Sequence, residues 1–321
     1  MAAHVPPRTT LEKWRYALKP ASWAKLTAPA ALGQALGVAH RGGVDLMGIV
    51  VGMGLTALML AFIVLLNDWG DREVDALKRR MFPEGCSPKT IPDGILPARA
   101  LLLVGLGAGM LASALAFASE DWLARPLLGD ATLVCLGRFV AYTLPPLQLN
   151  YRGGGELLEA LGCGFALPWL IAYAQAGLGA ASLTWMPRPA ALLPGVVLLA
   201  LARAIASGLS DEVSDRKGGK RTLPTMLGNP LARRLTALCV LLGLGAWALA
   251  GLASEHVPLK VVAVAKPGVL LQWRQVRALS TSAVTNAFPA QARYKHHLHQ
   301  AIWGGFRTLG GALVLHRVFL A

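Results

Sequence analysis

An acidic cluster directly after a long apolar run has the residue types and spacing of a metal site. Residues 67–75 read Asn-Asp-Trp-Gly-Asp-Arg-Glu-Val-Asp and follow the apolar run 50–66. Spacings of three and four residues place Asp68, Asp71 and Asp75 on one face of a helix. Acids at a helix C-terminus cost about 0.3–1 kcal/mol each, because the helix dipole is negative there. A divalent cation would reverse that sign, so the cluster predicts a metal site rather than a solvated acidic loop.

A second acidic pair repeats this arrangement. Asp211 and Asp215 lie one helical turn apart and follow another apolar run, 192–209. Magnesium in enzymes binds one or two carboxylates together with waters and substrate phosphates. Two such clusters at the ends of membrane helices therefore predict a Mg²⁺ site that holds a polyphosphate. The predicted metal ligands are Asn67, Asp68, Asp71, Asp75, Asp211 and Asp215, and the predicted catalytic residues are Asp71, Asp75, Asp211 and Asp215.

Basic residues follow both clusters and could contact phosphate oxygens through charge-assisted hydrogen bonds. Arg72 and Lys89 follow the first cluster, and Lys220 and Arg221 follow the second. Basic residues also collect in the cytoplasmic loops of membrane proteins, which is the alternative explanation. Because Lys220 and Arg221 come so soon after the second acidic pair, we favour phosphate contact for them.

The composition is that of an integral membrane protein. The chain has 321 residues, of which 55% are hydrophobic and 15% charged, whereas soluble domains carry about 25% charged residues. Several apolar runs reach the ~20 residues that a spanning helix needs. We predict an all-α, polytopic fold with about nine transmembrane helices around a central cavity. The predicted spans are 22–40, 46–67, 99–118, 126–146, 156–177, 190–209, 232–253, 257–273 and 300–319.

The distribution of charge predicts the topology. The net charge is +14, but the basic residues lie in loops between apolar segments, which argues against nucleic-acid binding. They are concentrated at the N-terminus and in alternate loops, which places the N-terminus and both acidic clusters on the cytoplasmic side. We expect a multi-pass protein of the cell inner membrane, with residues 1–21 as a cytoplasmic N-terminal segment and residues 22–321 as one transmembrane domain.

Both clusters match motifs of a known group of enzymes, because the chain resembles the UbiA superfamily of intramembrane prenyltransferases. The first cluster has the superfamily's Asn-Asp-x-x-Asp-x-x-x-Asp pattern, and the second has Asp-x-x-x-Asp. The segments 151–156 and 219–223 are similar to the menaquinone branch, the 1,4-dihydroxy-2-naphthoate prenyltransferases. Asp71-Arg72-Glu73 is closer to the ubiquinone and chlorophyll-synthase branches, and the menaquinone branch usually has Asn-Asn where this chain has Ser207-Gly208.

The resemblance implies a reaction and a set of partners. An isoprenyl diphosphate, held by Mg²⁺, would ionise and prenylate an aromatic quinone precursor in a dry cavity within the lipid bilayer. Hydroxybenzoate, a tetrapyrrole or another lipid-soluble acceptor is the alternative substrate. A transporter that relays ions through intramembrane acids is a further alternative, but such acids tend to lie near the middle of the membrane. The predicted substrate-binding residues are Asn67, Asp68, Arg72, Lys89, Tyr142, Tyr151, Arg152, Lys220 and Arg221.

Overall fold

The computed structural model describes residues 9–83, 87–177 and 188–320, and most of them are helical. Residues 1–8 of the predicted N-terminal segment lie outside this range. The described part contains no strand, only a backbone bridge between Arg152 and Arg221, so the predicted all-α class is confirmed. In chain order the helices are α1 (Thr10–Leu18), α2 (Ala24–Arg41), α3 (Leu46–Gly70), α4 (Arg72–Met81), α5 (Ala98–Leu123), α6 (Leu128–Thr143), α7 (Gly155–Leu161), α8 (Leu167–Ala176), α9 (Leu193–Gly208), α10 (Glu212–Lys217), α11 (Leu223–Leu227), α12 (Asn229–Ala253), α13 (Leu259–Ser282) and α14 (Phe288–Leu315).

The helices include several that can cross a bilayer, as a multi-pass membrane protein requires. A one-turn π-helix joins α7 to α8, so that these two helices form one segment. Each of the nine predicted spans coincides with a helix or with such a joined segment. Five segments among the described residues are long and apolar enough to span by themselves: Leu46–Gly70, Ala98–Leu123, Gly155–Ala176, Pro189–Gly208 and Asn229–Ala253.

The last two helices differ from the sequence expectation. We expected a basic loop at 274–299 between the last two spans, but α13 continues to Ser282 and α14 begins at Phe288. The polar stretch at the start of α14 stays helical because it has a buried face. Tyr294 and Leu298, one turn apart, are 2% and 1% exposed within that stretch, and this burial offsets its low hydropathy.

The end of α3, which carries the first acidic cluster, is placed by a close approach to α6. Gly70 ends α3, and a Cβ atom at this position would lie 2.7 Å from the carbonyl oxygen of Thr143. Only glycine therefore permits this contact. The Asp71 N–H donates to the Asn67 carbonyl at 2.9 Å, and α4 starts at the next residue. The chain thus turns sharply while its carboxylates stay together.

The helix that precedes the second cluster, α9, packs in the largest of three apolar cores found among the described residues. This core joins α2, α9, α12, α13 and α14 around the fully buried Trp247. The Trp247 ring lies 6.1 Å from that of Phe306 and packs against Gly195, where a Cβ atom would collide with it. The second core joins α2, α3, α5, α6 and α8. Both acidic clusters thus extend from rigid helices.

Candidate active site

A polar cavity of about 200 Å³ lies between the end of α3, helix α4 and helix α10. All six residues predicted from the sequence as metal ligands line it. Asp68, Asp75 and Asp215 are between 5% and 9% exposed. Segments more than 130 residues apart therefore place their carboxylates around one space, as the two matching motifs predict.

Lysine ammonium groups neutralise most of these carboxylates. Lys220 lies 3.0 Å from both oxygens of Asp71. Three further ion pairs join Lys19 to Asp68, Lys78 to Asp211 and Lys89 to Asp75. The lysines come from four separate parts of the chain, so the charge balance of the cavity depends on the whole fold.

The two carboxylates of the second cluster have different electrostatic surroundings. Burial opposes ionisation of Asp211, but the nearby ammonium groups of Lys78 and Lys89 outweigh it and lower the pKa of this carboxyl. Burial and the neighbouring charge of Asp211 raise the pKa of Asp215 well above its usual value. Like charges packed this closely cannot both ionise without cost. The pair therefore favours a bound cation.

The donor set fits Mg²⁺ bound together with a substrate. Among the described residues, no three His, Cys, Asp or Glu side chains are grouped so as to hold a metal by themselves. The ion pairs explain this, because they turn most of the carboxylates toward lysines. Magnesium does not need such a group, since it takes one or two carboxylates and completes its shell with water and substrate phosphate. Five carboxylates around one cavity supply those ligands.

Hydroxyl and amide groups hold the first cluster in place. Thr90 is fully buried, and its hydroxyl donates to Asp68 at 2.7 Å. The Asn150 side-chain amide donates to Asp71 at 3.3 Å, and the Asn67 amide donates to the same carboxylate at 3.2 Å. These bonds fix the orientation of the carboxylates before any ligand binds, which lowers the entropy cost of binding.

The segment after the second cluster folds back onto the segment after α6. The Lys220 N–H donates to the Asp215 carbonyl at 2.8 Å, and the Arg221 N–H donates to the Tyr151 carbonyl at 3.0 Å. The Lys220 ammonium then lies over the Tyr151 ring, 4.9 Å from its centroid. Burial and the negative charge of Asp71 raise the pKa of the Tyr151 hydroxyl.

Five predicted substrate-binding residues do not line this cavity: Tyr142, Tyr151 and the three arginines Arg72, Arg152 and Arg221. Arg72 donates to the Trp69 carbonyl at 2.8 Å and stacks over the Trp69 ring. Arg152 is exposed and donates to the Pro146 carbonyl at 2.7 Å. Arg221 is also exposed, and only its backbone takes part in the bridge to Arg152. The arginine side chains point outward although the backbone lies beside the site.

A second, mainly apolar cavity of about 110 Å³ adjoins the first, and Lys25 and Asn67 line both. It lies between α2, α3, α6 and the joined α7–α8 segment. Tyr142, predicted as a substrate-binding residue, is in its wall beside Phe139, whose ring is stacked on it at 5.6 Å. A polar, carboxylate-lined space therefore leads into an apolar one inside the helix bundle.

The family of this chain is shown by comparison with known proteins. The model of the UbiA prenyltransferase family matches residues 26–298. The chain belongs to this family. Among curated proteins it is similar to the chloroplastic chlorophyll synthase of Arabidopsis thaliana, with 27% identity over 240 residues, which are 69% of this chain and 56% of that protein. The enzyme of Oryza sativa subsp. japonica is 30% identical over 172 residues, 52% of this chain and 42% of that protein. The chain thus spans about half the length of these relatives.

Solved structures share the fold. A UbiA homolog from Archaeoglobus fulgidus bound to DMAPP and Mg²⁺ superposes with a TM-score of 0.67 at 20% identity, covering 92% of this chain and 99% of that one. The same homolog bound to GPP and Mg²⁺ gives a TM-score of 0.65 at 21% identity, with equal coverage. At this identity the similarity shows that the architecture is common to both proteins.

Sequence reasoning missed Lys19, Thr90 and Asn150, which contact the acidic clusters of this UbiA-family site. It included Lys78 among the basic residues that could contact phosphate, but it did not pair Lys78 with an aspartate. Lys78 belongs to the basic run after the first cluster, but nothing in that run singles it out as the partner of Asp211. For Thr90 and Asn150 no sequence signal was available, because their contacts arise only when loops pack over the end of α3.

Proposed function

We propose that this protein transfers an isoprenyl group from an isoprenyl diphosphate to a lipid-soluble aromatic acceptor, in a reaction that depends on Mg²⁺. One observation carries the proposal: both acidic clusters and five lysines line a single cavity that continues into an apolar one. The polar part matches a diphosphate with its cations, and the apolar part matches a hydrocarbon chain. The family match supports the same reaction class.

The residues of the polar cavity bind and orient the donor. Asn67 and the five aspartates would hold Mg²⁺, which supplies neutralisation of the negative charge that develops on the leaving diphosphate. Lys19, Lys78, Lys89 and Lys220 would exchange their carboxylate partners for phosphate oxygens, as charge-assisted bonds of similar strength. Because Thr90 and Asn150 hold their carboxylates in place, the site needs little rearrangement when the donor arrives.

The residues of the apolar cavity protect the reacting carbon. As the allylic C–O bond breaks, its electron pair leaves with the diphosphate, and an electron-rich atom of the acceptor attacks the carbocation and then loses a proton. Water would trap that cation, and the apolar wall of α2, α3 and α6 excludes it. The faces of Tyr142 and Phe139 would also stabilise positive charge through cation–π attraction.

A quinone precursor, 1,4-dihydroxy-2-naphthoate, is our first candidate for the acceptor. The segments around Tyr151 and Lys220, which are similar to the menaquinone branch, support it, and such a ring is a good nucleophile for an allylic cation. A tetrapyrrole is the second candidate, because the curated relatives are chlorophyll synthases and the Asp71-Arg72-Glu73 sequence is closer to that branch.

We further infer a single transmembrane prenyltransferase domain over residues 22–321 in the cell inner membrane, with residues 1–21 and the site on the cytoplasmic side. The basic residues near both clusters support this orientation. Reporter fusions after residues 80 and 220 test it. Both should report the cytoplasm, and placement on opposite sides of the membrane would contradict the proposed topology.

A direct assay of products identifies the acceptor. The purified full-length protein is incubated with geranylgeranyl diphosphate, Mg²⁺ and, separately, dihydroxynaphthoate, 4-hydroxybenzoate or a tetrapyrrole acid, and the products are identified by mass spectrometry. We expect a prenylated naphthoate. Turnover of only one of the other acceptors would overturn the branch assignment and leave the reaction class standing, whereas no prenylated product from any of them would contradict the proposed function.

A further inference from the structure

Lys25 differs from the other lysines around the two cavities. Each of Lys19, Lys78, Lys89 and Lys220 holds a carboxylate of the acidic clusters. Lys25 lines both cavities, yet it has no ion pair or hydrogen bond with any described residue. A cation inside a helix bundle is costly unless an anion compensates it. Its position at the junction therefore needs a ligand to explain it.

The apolar cavity carries further uncompensated positive charge. Arg138 lines it, donates to the Leu158 carbonyl and leaves a buried Nε without a partner. The carboxylate in the same wall, Glu159, is already paired with Arg203 from α9. Neither Lys25 nor Arg138 forms an ion pair with a described carboxylate. The charge of Glu159 attracts Lys25, but its ion pair is with Arg203.

The position of Lys25 in its helix does not account for it either. It is the second residue of α2, where the positive end of the helix dipole disfavours a cation. The first turn of α2 contains no acidic residue, and no side chain caps it. An anion at this place would be attracted by both the ammonium group and the dipole.

We propose that Lys25 recognises the carboxylate of an acidic acceptor at the junction of the two cavities, with Arg138 as a second cation in the same wall. This inference rests on the proposed function and names the residues that select its acceptor. The donor diphosphate is the competing anion. Four lysines other than Lys25 line the polar cavity and can bind the diphosphate. Among the described residues, the basic side chains that line the apolar cavity are Lys25 and Arg138. The acceptor therefore supplies the missing anion.

Binding to matched ligand pairs tests this inference without requiring turnover. The full-length protein in detergent is titrated with 1-hydroxy-2-naphthoate and 1-naphthol, with 4-hydroxybenzoate and phenol, and with a tetrapyrrole acid and its methyl ester. Members of each pair differ in the charged carboxylate. Geranyl diphosphate with Mg²⁺ is titrated in parallel. The variants are Lys25→Met, Lys25→Arg and, as a control, Lys217→Met, whose side chain is exposed at the same end of the bundle and lines neither cavity.

In at least one pair we expect the wild type to bind the carboxylate at least tenfold tighter than the neutral partner. Lys25→Met should lose that preference, Lys25→Arg should keep most of it, and Lys217→Met should not change it. Geranyl diphosphate should bind all four proteins within about threefold, which also shows that the variants are folded.

The inference is overturned if the wild type prefers the carboxylate in none of the pairs, or if Lys25→Met keeps the preference. It is also overturned if Lys25→Met weakens geranyl diphosphate rather than the acids, because Lys25 then serves the donor. A protein that shows the preference but forms no prenylated product would retain the carboxylate site and lose the proposed function, so the two failures are distinguishable.

Discussion

Buried ion pairs occur beyond both ends of α3, and they differ in how the cation is held. After α3, the Asp71 carboxylate meets the Lys220 ammonium group beside an open cavity. Before α3, Asp45 meets Arg125, whose guanidinium also donates to the carbonyls of Ala124 and Gln175, at 3.2 and 3.3 Å. A Cβ atom at Gly177 would lie 2.5 Å from this guanidinium.

This difference distinguishes ion pairs whose cation a ligand can replace, which we call exchangeable, from ion pairs that hold the fold together, which we call structural. A lysine is a point charge on a flexible stem, so a metal ion or a phosphate can take over its partner. Arginine is a planar fork that can hold several acceptors at once in one fixed geometry, as Arg125 does with Asp45 and the carbonyls of Ala124 and Gln175. The Asp45–Arg125 contact therefore joins the helices α3, α5 and α8 at one end. We propose that the lysine–aspartate contacts at the other end are replaced when substrate and metal bind.

The largest expected effect is on turnover at the cavity end. Asp71→Asn and Asp215→Asn should each lower Mg²⁺-dependent prenyl transfer by about a thousandfold or more, because each removes a charge that balances the metal while keeping the shape. Steady-state rates over a range of Mg²⁺ concentrations measure this, and membrane insertion should be unchanged. Glu73→Gln is the matched control, since Glu73 is exposed beside the same motif. Undiminished activity of either Asp variant at limiting Mg²⁺ would exclude that residue as a ligand.

At the start of α3 we expect a loss of stability with little change in turnover. Arg125→Met should destabilise the fold by about 3 kcal/mol, because it removes a buried donor from Asp45 and from the carbonyls of Leu123, Ala124 and Gln175. Thermal unfolding in detergent measures the loss, and transfer per folded molecule should stay within about twofold. Arg41→Met provides the control, because Arg41 is 46% exposed and pairs with the same carboxylate at 3.4 Å, so its loss should cost less than about 1 kcal/mol. Equal destabilisation by both would contradict the account of Arg125.

Mg²⁺ should restore the stability that is lost when the lysine of an exchangeable pair is removed, but not the stability lost with Arg125. Lys220→Met leaves Asp71 without its cation and should lower the stability by about 1 kcal/mol. Millimolar Mg²⁺ should restore that stability, since the metal neutralises the same carboxylate. It should not restore Arg125→Met. Melting temperatures with and without Mg²⁺ decide this, with Lys217→Met as a control at the same end. Rescue of both variants, or of neither, would remove the proposed distinction.

The smallest expected effect is a pH dependence of metal binding. Burial and Asp211 raise the pKa of Asp215, so in the metal-free protein this carboxyl holds a proton to a higher pH than usual. Mg²⁺ needs the ionised form, and its binding must therefore release that proton. The affinity for Mg²⁺ should fall as the pH falls, by at most about tenfold per unit for one proton. Titrations between pH 6 and pH 8 check this, and an affinity that does not change with pH would contradict it.

The carboxylates of the site are easier to predict from the sequence than the residues that form ion pairs with them. Asp68, Asp71 and Asp75 can be assigned because helical periodicity is local, and the second cluster repeats the pattern after another apolar run. The pairing of Lys78 with Asp211 cannot be assigned, since it depends on how α4 packs against α10. For the same reason Arg152 and Arg221 were expected in the site, although only their backbones lie beside it.

Hydropathy alone also could not predict where the helices end. The apolar cores of the spans were located, but the extension of α13 and α14 through 274–299 depends on the burial of Tyr294 and Leu298. Lys25 gives a similar lesson. In the sequence it is only a charged residue that lowers the hydropathy of the first predicted span, 22–40. In the structure it lies where the two cavities meet. We infer its role from the fact that it forms no ion pair with a described carboxylate.

The central claim is that the acidic cavity releases diphosphate from a prenyl donor with the help of Mg²⁺. The most direct measurement follows isotope-labelled geranylgeranyl diphosphate incubated with the purified protein and the acceptor panel, in Mg²⁺ or in EDTA, and detects labelled prenylated product by mass spectrometry. The account predicts product with Mg²⁺ and none with EDTA. Equal product in EDTA, or intact donor with every acceptor in the presence of Mg²⁺, would contradict it.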